Sequence, residues 1–464
     1  MPAMANGRRR PCPPSRGDGV TPGARITAAI EVLEIIRAGD TLAPADSVLG
    51  DYLRQRRYIG SKDRTAIAAM IYGTYRNRAR INWWLDHARS KPRPRTLMIA
   101  YLLLVERMDA KQLRALFDGY HYNQQPLEKP ESVLADRLAG QSLDHPDMPE
   151  AVRGECPGWA EAGLRAALGE RFLEEMAALN KEAATDLRVN TLVGTREEAI
   201  AALAEDGIFA KPSLYSPIGL RLSGRPALGG TKALKSGLVE VQDEGSQLLA
   251  LLVGAVPGMQ VVDFCAGAGG KTLALAAQMQ NKGRIVAADV NARRLERLAL
   301  RQRRAAAHNI ERRPLATERD PWVKRHKDKF DRVLVDAPCT GTGTWRRNPD
   351  AKWGRGGIDL AELTALQSEI LDSAARLVRP GGRLVYATCS LLAAENEDRV
   401  AAFLAGHAEF RLVPLSEAWP GLLPDAPMPE AADAGGYLRL SPARHGTDGF
   451  VAAILERQPA TETA

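Results

Sequence analysis

From residue 258 onwards the sequence alternates short apolar segments with amphipathic helical ones, and this alternation constrains the fold more than any other feature. The predicted strands are Val261–Phe264, Arg284–Asp289, Phe330–Asp336, Arg383–Ala387 and Phe450–Leu455. The predicted helices between them are Lys271–Met279, Ala292–Ala307, Leu363–Val378 and Glu395–Leu404. Such alternation predicts an α/β fold, a mostly parallel sheet with helices on both faces. Ligands of these sheets bind outside the carboxyl ends of the strands, so we expect the functional residues there.

A loop of small residues follows the first of these strands. It consists of Cys265, Ala266, Gly267, Ala268, Gly269 and Gly270, and Lys271 then begins a helix. Small residues let the backbone approach a ligand closely, and a helix N-terminus offers free N–H groups. Asp289 ends the next strand, where an acidic side chain can accept hydrogen bonds from both hydroxyls of a ribose. The pattern predicts a site for a dinucleotide or for S-adenosylmethionine.

Two later strand ends each carry a cysteine. Asp336-Ala337-Pro338-Cys339 follows one strand, and Thr388-Cys389-Ser390 follows the next. A lone cysteine after an apolar strand is usually a buried structural residue. Two of them at successive strand ends, beside a cofactor loop, favour nucleophilic catalysis. A zinc site is excluded at this spacing, because neither cysteine has a Cys or His partner two to four residues away.

Basic residues are concentrated near the N-terminus. The chain has a net charge of +7, yet the block Arg54–Arg95 alone contains twelve Lys and Arg against two Asp. This block predicts contact with a polyanion such as RNA, although a solvated helix face is the commoner meaning of a charge run. Apolar residues in 25–125 have helical spacing. The following stretch, Gln124–Pro149, contains four prolines and is predicted to be a linker.

Several protein classes are excluded by the composition. No apolar stretch approaches the ~18 residues that a membrane span requires. The arginines Arg8–Arg10 are not followed by an apolar run, so we expect no signal peptide. Five cysteines without framework spacing indicate a reducing compartment. We therefore expect a cytoplasmic monomer that uses neither a metal nor a membrane.

Over residues 150–457 the order of motifs resembles that of the Sun/RsmB-type RNA cytosine-5 methyltransferases. Besides the cofactor loop, the matching motifs are Gln242-Asp243-Glu244-Gly245-Ser246-Gln247, Asp336-Ala337-Pro338-Cys339, Arg347-Asn348-Pro349-Asp350 with Lys352-Trp353, Gln367-Ser368-Glu369-Ile370-Leu371, Thr388-Cys389-Ser390, Glu395-Asn396-Glu397 and Asp448-Gly449-Phe450. The helical region, with Asp63-Arg64 and Tyr72-Gly73-Thr74, is similar to the NusB-like RNA-binding domain that precedes the catalytic part in this family.

The resemblance implies a multidomain protein. An all-α NusB-like RNA-binding domain at 25–145 would be followed by a small α+β module at 150–245. A Rossmann-like S-adenosylmethionine-dependent methyltransferase domain would occupy 246–457. A disordered basic tail, 1–24, and a short tail, 458–464, would flank them.

The resemblance also implies roles for individual residues. Cys389 would be the nucleophile that adds to carbon 6 of cytosine, and Cys339 would assist breakdown of the covalent adduct. Asp336 would contact the base and the methionine end of the cofactor. The other cofactor-binding residues would be Cys265, Ala266, Gly267, Ala268, Gly269, Gly270, Lys271 and Asp289. The sequence does not show which group lowers the pKa of the attacking thiol; Lys352 is one candidate.

Two positions depart from the family pattern. The family loop usually reads Cys-Ala-Ala-Pro-Gly-Gly, whereas Ala268 stands here in place of the proline. Thr317 occupies the position of an acidic residue that usually meets the adenine amino group. A hydroxyl can still accept a hydrogen bond but supplies no charge. These departures bear on the affinity for the cofactor rather than on its identity.

We therefore predict an rRNA cytosine-5 methyltransferase that acts on 16S ribosomal RNA. The same chemistry on transfer RNA and a non-catalytic RNA-binding assembly factor stay open as alternatives. A nicotinamide-dependent oxidoreductase would explain the glycine loop and Asp289 but leaves both cysteines without a role. The roles of Cys389 and Cys339 could also be exchanged, because DNA cytosine methyltransferases attack with the cysteine of a Pro-Cys motif.

Overall fold

The computed structural model describes residues 20–38, 44–354, 359–430 and 433–459. The chain forms two compact units. The first contains the residues up to Gly158 together with the segment Pro349–Gly356, and the second contains Trp159–Asn348 and Gly357–Ala464. Residues 1–19 of the predicted basic tail and 460–464 of the predicted C-terminal tail lie outside the described residues.

Helices make up the regular structure of the first unit throughout its described residues. They are α1 (Pro22–Ala38), α2 (Ala45–Gln55), α3 (Ser61–Arg76), α4 (Arg78–His87), α5 (Pro94–Leu104), α6 (Ala110–Leu116), α7 (Lys129–Leu138), α8 (Glu150–Arg153) and a 3₁₀-helix, Pro349–Trp353. Every described side chain of α5 except that of Arg95 is buried, so α5 is the central helix. Ile67 and Ile71 of α3 pack into the same core. The helical region predicted from apolar spacing is confirmed.

The prediction that Gln124–Pro149 forms a linker is wrong. This stretch contains α7, with Pro130 in its first turn. Leu134 and Leu138 of α7 are buried in the core of the helical unit. Proline is favoured in the first turn of a helix, because the N–H that it lacks would have no partner within the helix. Pro130 and Pro149 therefore lie at the starts of α7 and α8 rather than marking a linker between domains.

The second unit begins with two helices and a small antiparallel sheet. Its elements are α9 (Gly158–Leu168), the 3₁₀-helix Gly169–Arg171, α10 (Phe172–Asn180), β1 (Asp186–Val189), α11 (Arg196–Glu205), β2 (Ala210–Pro212), β3 (Gly219–Leu222), the 3₁₀-helix Leu228–Gly230, α12 (Lys232–Lys235) and β4 (Val239–Val241). The strand order is β2-β3-β1-β4, with every pair antiparallel. The predicted small α+β module is therefore confirmed.

A nine-stranded sheet forms the rest of the second unit. Its elements are α13 (Glu244–Leu252), β5 (Gln260–Asp263), α14 (Gly270–Gln278), β6 (Arg284–Asp289), α15 (Ala292–Arg304), β7 (Ile310–Pro314), α16 (Pro321–Arg325), β8 (Phe330–Asp336), α17 (Leu360–Ala375), β9 (Val378–Thr388), α18 (Glu397–Gly406), β10 (Phe410–Val413), α19 (Leu415–Leu422), β11 (Asp433–Ala434), β12 (Tyr437–Leu440), α20 (Pro442–His445) and β13 (Phe450–Arg457), with 3₁₀-helices at Thr342–Thr344 and Ala393–Glu395. The strand order is β11-β12-β13-β9-β8-β5-β6-β7, and β10 pairs with β13.

Strands β5 to β9 are parallel to one another, whereas β10 to β13 are antiparallel additions. One hydrophobic core lies under α13, α14 and α15, and a second lies under α17 and α18 on the opposite face. Leu334 of β8 enters the first core, and its neighbours Val333 and Val335 enter the second. The predicted Rossmann-like domain, with helices on both faces, is confirmed.

The register of the parallel strands aligns the loops that follow them. Asp263 pairs with Ala287 on one side and with Leu334 on the other. Asp336 pairs with Ala387 across β8 and β9. The carboxyl ends of β5, β6, β8 and β9 therefore meet at one edge of the sheet, and the loops with the predicted site residues begin there.

Candidate active site

The two cysteines of the predicted site lie in contact. Because β8 and β9 are parallel neighbours, the turns after Asp336 and Thr388 adjoin. The Sγ atoms of Cys339 and Cys389 are 3.3 Å apart, and both residues are partly exposed. The hydrogen bond with Cys389, followed by burial, raises the pKa of the Cys339 thiol well above its usual value. Cys339 therefore retains its proton beside Cys389.

Lys271 and Asp336 form an ion pair next to these sulfurs. Lys271 Nζ lies 2.7 Å from Asp336 Oδ2. Burial lowers the pKa of Lys271, but the interaction with Asp336, together with the charge of Asp263, outweighs burial, and the pKa is raised overall. A negative charge on Cys389 contributes to the same increase. Lys271 is thus a charged ammonium group that interacts electrostatically with Cys389.

Lys352, the candidate for lowering the pKa of the attacking thiol, has its described contacts within the helical unit. Lys352 belongs to the helical unit, in the segment Pro349–Gly356. It is buried there, with Nζ 3.4 Å from the backbone oxygen of Glu155. Burial lowers the pKa of Lys352 to about 8, against the attraction of the Glu155 carboxylate. Among the described residues, Lys271 is a cation whose raised pKa includes a contribution from Cys389.

The loop after β5 is held by Asp289. The backbone N–H of Gly267 donates to Asp289 Oδ2 at 2.7 Å, and that of Asn291 donates to Asp289 Oδ1 at 2.7 Å. An ionised carboxylate can accept about four hydrogen bonds, so Asp289 retains capacity for further donors. Arg301 of α15 also donates to the backbone oxygen of Ala268 at 2.8 Å. It thereby fixes the position where the family loop carries proline.

Two glycines in this loop have a left-handed backbone. Gly267 has φ +56°, and a Cβ built on it would meet no atom within 4 Å. Gly269 has φ +81°, and a Cβ there would lie 2.2 Å from Leu298. The loop is thus closely packed beneath Gly269 and open at Gly267. An open loop at a helix N-terminus, with the carboxylates of Asp289 and Asp336 beside it, fits an adenosine group joined to a cationic sulfonium.

Cys265, the third cysteine at this edge, is unsuited to attack. Burial raises the pKa of its thiol, and the nearby carboxylates of Asp263, Asp336 and Asp289 raise it further. Reactivity requires the thiolate, so Cys265 is a lining residue of the loop.

Thr317 takes part in a local turn. It is exposed, and its hydroxyl accepts the backbone N–H of Arg319 at 3.2 Å. Asp320, three residues on, caps α16 by accepting the backbone N–H of Trp322 at 2.8 Å. The hydroxyl of Thr317 supplies no charge for an adenine amino group, as the sequence indicates.

Several of the motif residues have structural roles that were not expected from sequence. Asp243 and Asp448 share Arg346 and Arg347, which connect the segments around residues 243, 346 and 448. Glu395, another motif residue, is fully buried and accepts hydrogen bonds beside both cysteines. The motif Glu395-Asn396-Glu397 singled this residue out in the sequence, but a motif does not predict which groups Glu395 contacts.

Neither a membrane span nor a metal cluster is found in the part of the chain that the structure describes. There, no helix combines the length and apolar character needed to cross a bilayer. The same residues include no group of three or more His, Cys, Asp and Glu side chains placed to hold a metal ion.

Two family models match the second unit. The model described as 16S rRNA methyltransferase RsmB/F matches residues 250–456, which span the large sheet. A model described as the ferredoxin-like domain of RsmF/B-like methyltransferases matches residues 156–228. A ribosomal RNA small subunit methyltransferase B from Serratia proteamaculans is 30% identical over 440 residues, which cover 90% of this chain and 98% of that protein.

Solved structures show the same similarity. The crystal structure of a protein named PH0851 covers 94% of this chain and 99% of its own, with 28% identity and a TM-score of 0.75. The structure of a methyltransferase homolog protein from Pyrococcus horikoshii covers 66% of this chain and 97% of its own, with 27% identity and a TM-score of 0.56. Similarity therefore extends over nearly the whole chain.

Proposed function

The chain belongs to the RsmB/F family of 16S rRNA methyltransferases, which use S-adenosylmethionine, and we propose that it methylates carbon 5 of a cytosine in small-subunit ribosomal RNA. The observation that carries the proposal is the contact of 3.3 Å between Cys339 and Cys389 beside the cofactor loop. Two thiols in contact suit a reaction in which one forms a bond to the base and the other assists its release.

The chemistry of cytosine explains why a nucleophile is needed. Carbon 5 is too weakly nucleophilic to take a methyl group directly, whereas addition of a thiolate to carbon 6 converts the ring into an enamine. Cys389 supplies that thiolate, next to the charged ammonium group of Lys271. S-adenosylmethionine, when bound, supplies the methyl group as a sulfonium electrophile. Asp336, held by Lys271, orients the amino edge of the base.

Cys339 has the complementary role. After methyl transfer, the proton on carbon 5 passes to solvent water, and the electrons of that C–H bond restore the double bond between carbons 5 and 6. The bond between carbon 6 and Cys389 breaks at the same time, so that the sulfur leaves as a thiolate. Cys339 lies against the departing sulfur. The raised pKa of its thiol means that it offers a hydrogen bond rather than a second nucleophile. It therefore assists release of Cys389 from the product.

The alternatives explain less of the site. A nicotinamide-dependent oxidoreductase gives the contacting cysteines no role. A non-catalytic assembly factor is motivated by Thr317 and Ala268, but Arg301 supports the loop at Ala268 and both cysteines are retained. Transfer RNA as the substrate involves the same chemistry, and only experiment separates it from ribosomal RNA.

The decisive experiment is bisulfite sequencing of ribosomal and transfer RNA from cells that lack the protein. We expect one or more cytosines of 16S rRNA to lose their methyl mark, and expression of the wild-type chain, but not of a Cys389→Ala variant, to restore it. Loss of a mark in transfer RNA alone would move the substrate to that class. If every mark persists, the proposed function is wrong.

A further inference from the structure

One buried carboxylate connects the two cysteine turns. Glu395 is fully buried at the end of the 3₁₀-helix Ala393–Glu395. Its Oε1 accepts the backbone N–H of Thr340 at 2.8 Å and the side-chain amide of Gln367 at 3.0 Å. Its Oε2 accepts the hydroxyls of Thr340 and Ser390. Thr340 directly follows Cys339 and Ser390 directly follows Cys389, so this carboxylate bonds the residue after each cysteine.

These four donors match the acceptor capacity of an ionised carboxylate. All four are neutral groups, so hydrogen bonds rather than an ion pair compensate the burial of Glu395. Burying a charge in this way is costly unless each donor is well placed. A network so fully satisfied therefore fixes the relative geometry of the groups that it joins.

Further hydrogen bonds brace the same two turns. Gln367, besides reaching Glu395, donates to the backbone oxygen of Pro338 at 2.9 Å, on the other side of Cys339. The backbone N–H of Gly343 donates to the oxygen of Cys389 at 2.9 Å. The residues before and after Cys339 are thus held by the same buried group of side chains.

We propose that Glu395 is the positioning residue that locks the two cysteine turns together, so that both sulfurs face one cytosine. This inference rests on the proposed function, because the two sulfurs have separate tasks only in that reaction. Glu395 acts through Thr340, Ser390 and Gln367 and touches neither sulfur in its described hydrogen bonds.

The charge of Glu395 also acts on Cys339. The pKa of the Cys339 thiol is raised by its hydrogen bond with Cys389, by burial, and by the charges of Cys389 and Glu395. Tyr386 of β9 is a further titratable group that interacts with Cys339, and its hydroxyl donates to the backbone oxygen of Glu395 at 2.7 Å. Removing the charge at position 395 therefore allows Cys339 to lose its proton at a lower pH.

The test compares Glu395→Gln with Glu397→Gln. Gln has the shape of Glu, but its amide nitrogen cannot accept the hydroxyls of Thr340 and Ser390. Glu397 lies two residues on, is largely buried and pairs with Arg439 instead of the cysteine turns. It is therefore a matched control for the loss of a partly buried carboxylate.

Two measurements are made on each purified full-length variant. The first is the initial rate of Cys339 alkylation by iodoacetamide against pH, read by mass spectrometry without RNA or cofactor. The second is the single-turnover rate of methyl transfer to a small-subunit RNA fragment at saturating S-adenosylmethionine. For Glu395→Gln we expect the alkylation midpoint to fall by about one pH unit and the transfer rate to fall at least tenfold. We expect cofactor affinity to stay within about twofold.

Glu397→Gln should leave both readouts unchanged, and Glu395→Asp, which keeps the charge, should restore the alkylation midpoint. The proposal is overturned if Glu395→Gln behaves as wild type, or if the control Glu397→Gln loses as much of the transfer rate.

If Glu395→Gln does not fold, Ser390→Ala is tested in its place, and an unchanged single-turnover rate in that variant overturns the proposal. Because alkylation needs no RNA, it tests Glu395 even if wild-type protein proves inactive on small-subunit RNA and the proposed function fails.

Discussion

The three cysteines at this edge of the sheet differ in the charges and the burial that surround them. Cys389 interacts with the Lys271 ammonium. Cys339 faces the carboxylate of Glu395, and the pKa of Cys265 is raised by its burial near three carboxylates. Burial and nearby anions disfavour a thiolate, so the surroundings of Cys339 and Cys265 argue against attack by either sulfur and support the proposed attack by Cys389.

This assignment predicts opposite phenotypes for two alanine variants. We expect Cys389→Ala to form no covalent adduct with RNA containing 5-fluorocytosine, because the attacking sulfur is absent. We expect Cys339→Ala to accumulate an RNA-linked species on ordinary RNA, because release of Cys389 is slowed. Denaturing gel electrophoresis of labelled RNA measures both. Cys265→Ala, assayed at saturating cofactor, is the control and should form and release the adduct as wild type does. If Cys339→Ala formed no adduct and Cys389→Ala accumulated one, the roles of the two cysteines would be exchanged.

At the scale of single residues, the sequence predicted which side chains lie close together but not which hydrogen bonds and ion pairs they form. Lys271, Asp336, Cys339 and Cys389 do lie together, because each follows a strand of one parallel sheet. The contacts of Lys352 could not be predicted, because a motif match carries no information about which unit a segment packs in. The proposed role of Glu395 depends on three residues, two of which, Thr340 and Gln367, are distant in sequence, and periodicity and spacing do not predict such contacts.

At the scale of elements, buried strands were predictable and edge strands were not. β5, β6, β8 and β9 are apolar runs because both of their faces are buried. β7, with the sequence Ile-Glu-Arg-Arg-Pro, is an edge strand whose polar residues conceal it. The predicted helix Leu363–Val378 extends too far, because α17 ends at Ala375 and the pairing of β9 with β8 already begins at Val378.

The cofactor loop yields a prediction of its own. Gly269→Ala should raise the Kd for S-adenosylmethionine at least tenfold, because a Cβ 2.2 Å from Leu298 forces the loop to move. The left-handed backbone adds a strain of about 1–3 kcal/mol for a non-glycine residue. Isothermal titration calorimetry measures the affinity, and thermal unfolding measures the stability.

Gly258→Ala provides a matched control for this loop variant. Gly258 also has a positive φ, +95°, but a Cβ there would meet nothing within 4 Å. It lies before β5, at the edge of the sheet opposite the cofactor loop. We expect Gly258→Ala to lower the melting temperature while cofactor affinity stays unchanged. Equal losses of affinity in both variants would show that the packing of Gly269 on Leu298 does not shape the site.

At the scale of the whole molecule, the distribution of charge indicates where RNA binds better than the net charge does. The basic block Arg54–Arg95 lies in the helical unit, and its Lys and Arg side chains differ in their exposure to solvent. Arg80 is mostly buried and donates to the buried Glu155 at 2.9 Å. It is a structural residue, and its loss would leave an uncompensated buried carboxylate. Other members are solvent-exposed and available to phosphates, among them Arg54, Arg57, Lys62 and Lys91.

These four exposed cations provide a test of where RNA docks. Replacing all four with Gln should weaken RNA binding and reduce the dependence of log K on log salt, by up to about 0.7 per lost contact with a single-stranded phosphate. The matched control neutralises the exposed cations Lys324, Arg325, Lys327 and Lys329, which precede β8 at the amino edge of the sheet. Both variants change the net charge equally, so only a local contact makes their salt slopes differ. Filter binding at several salt concentrations measures the slopes, and cofactor binding should be unchanged in both. Equal slopes in the two variants would mean that the basic block is a solvated helix face.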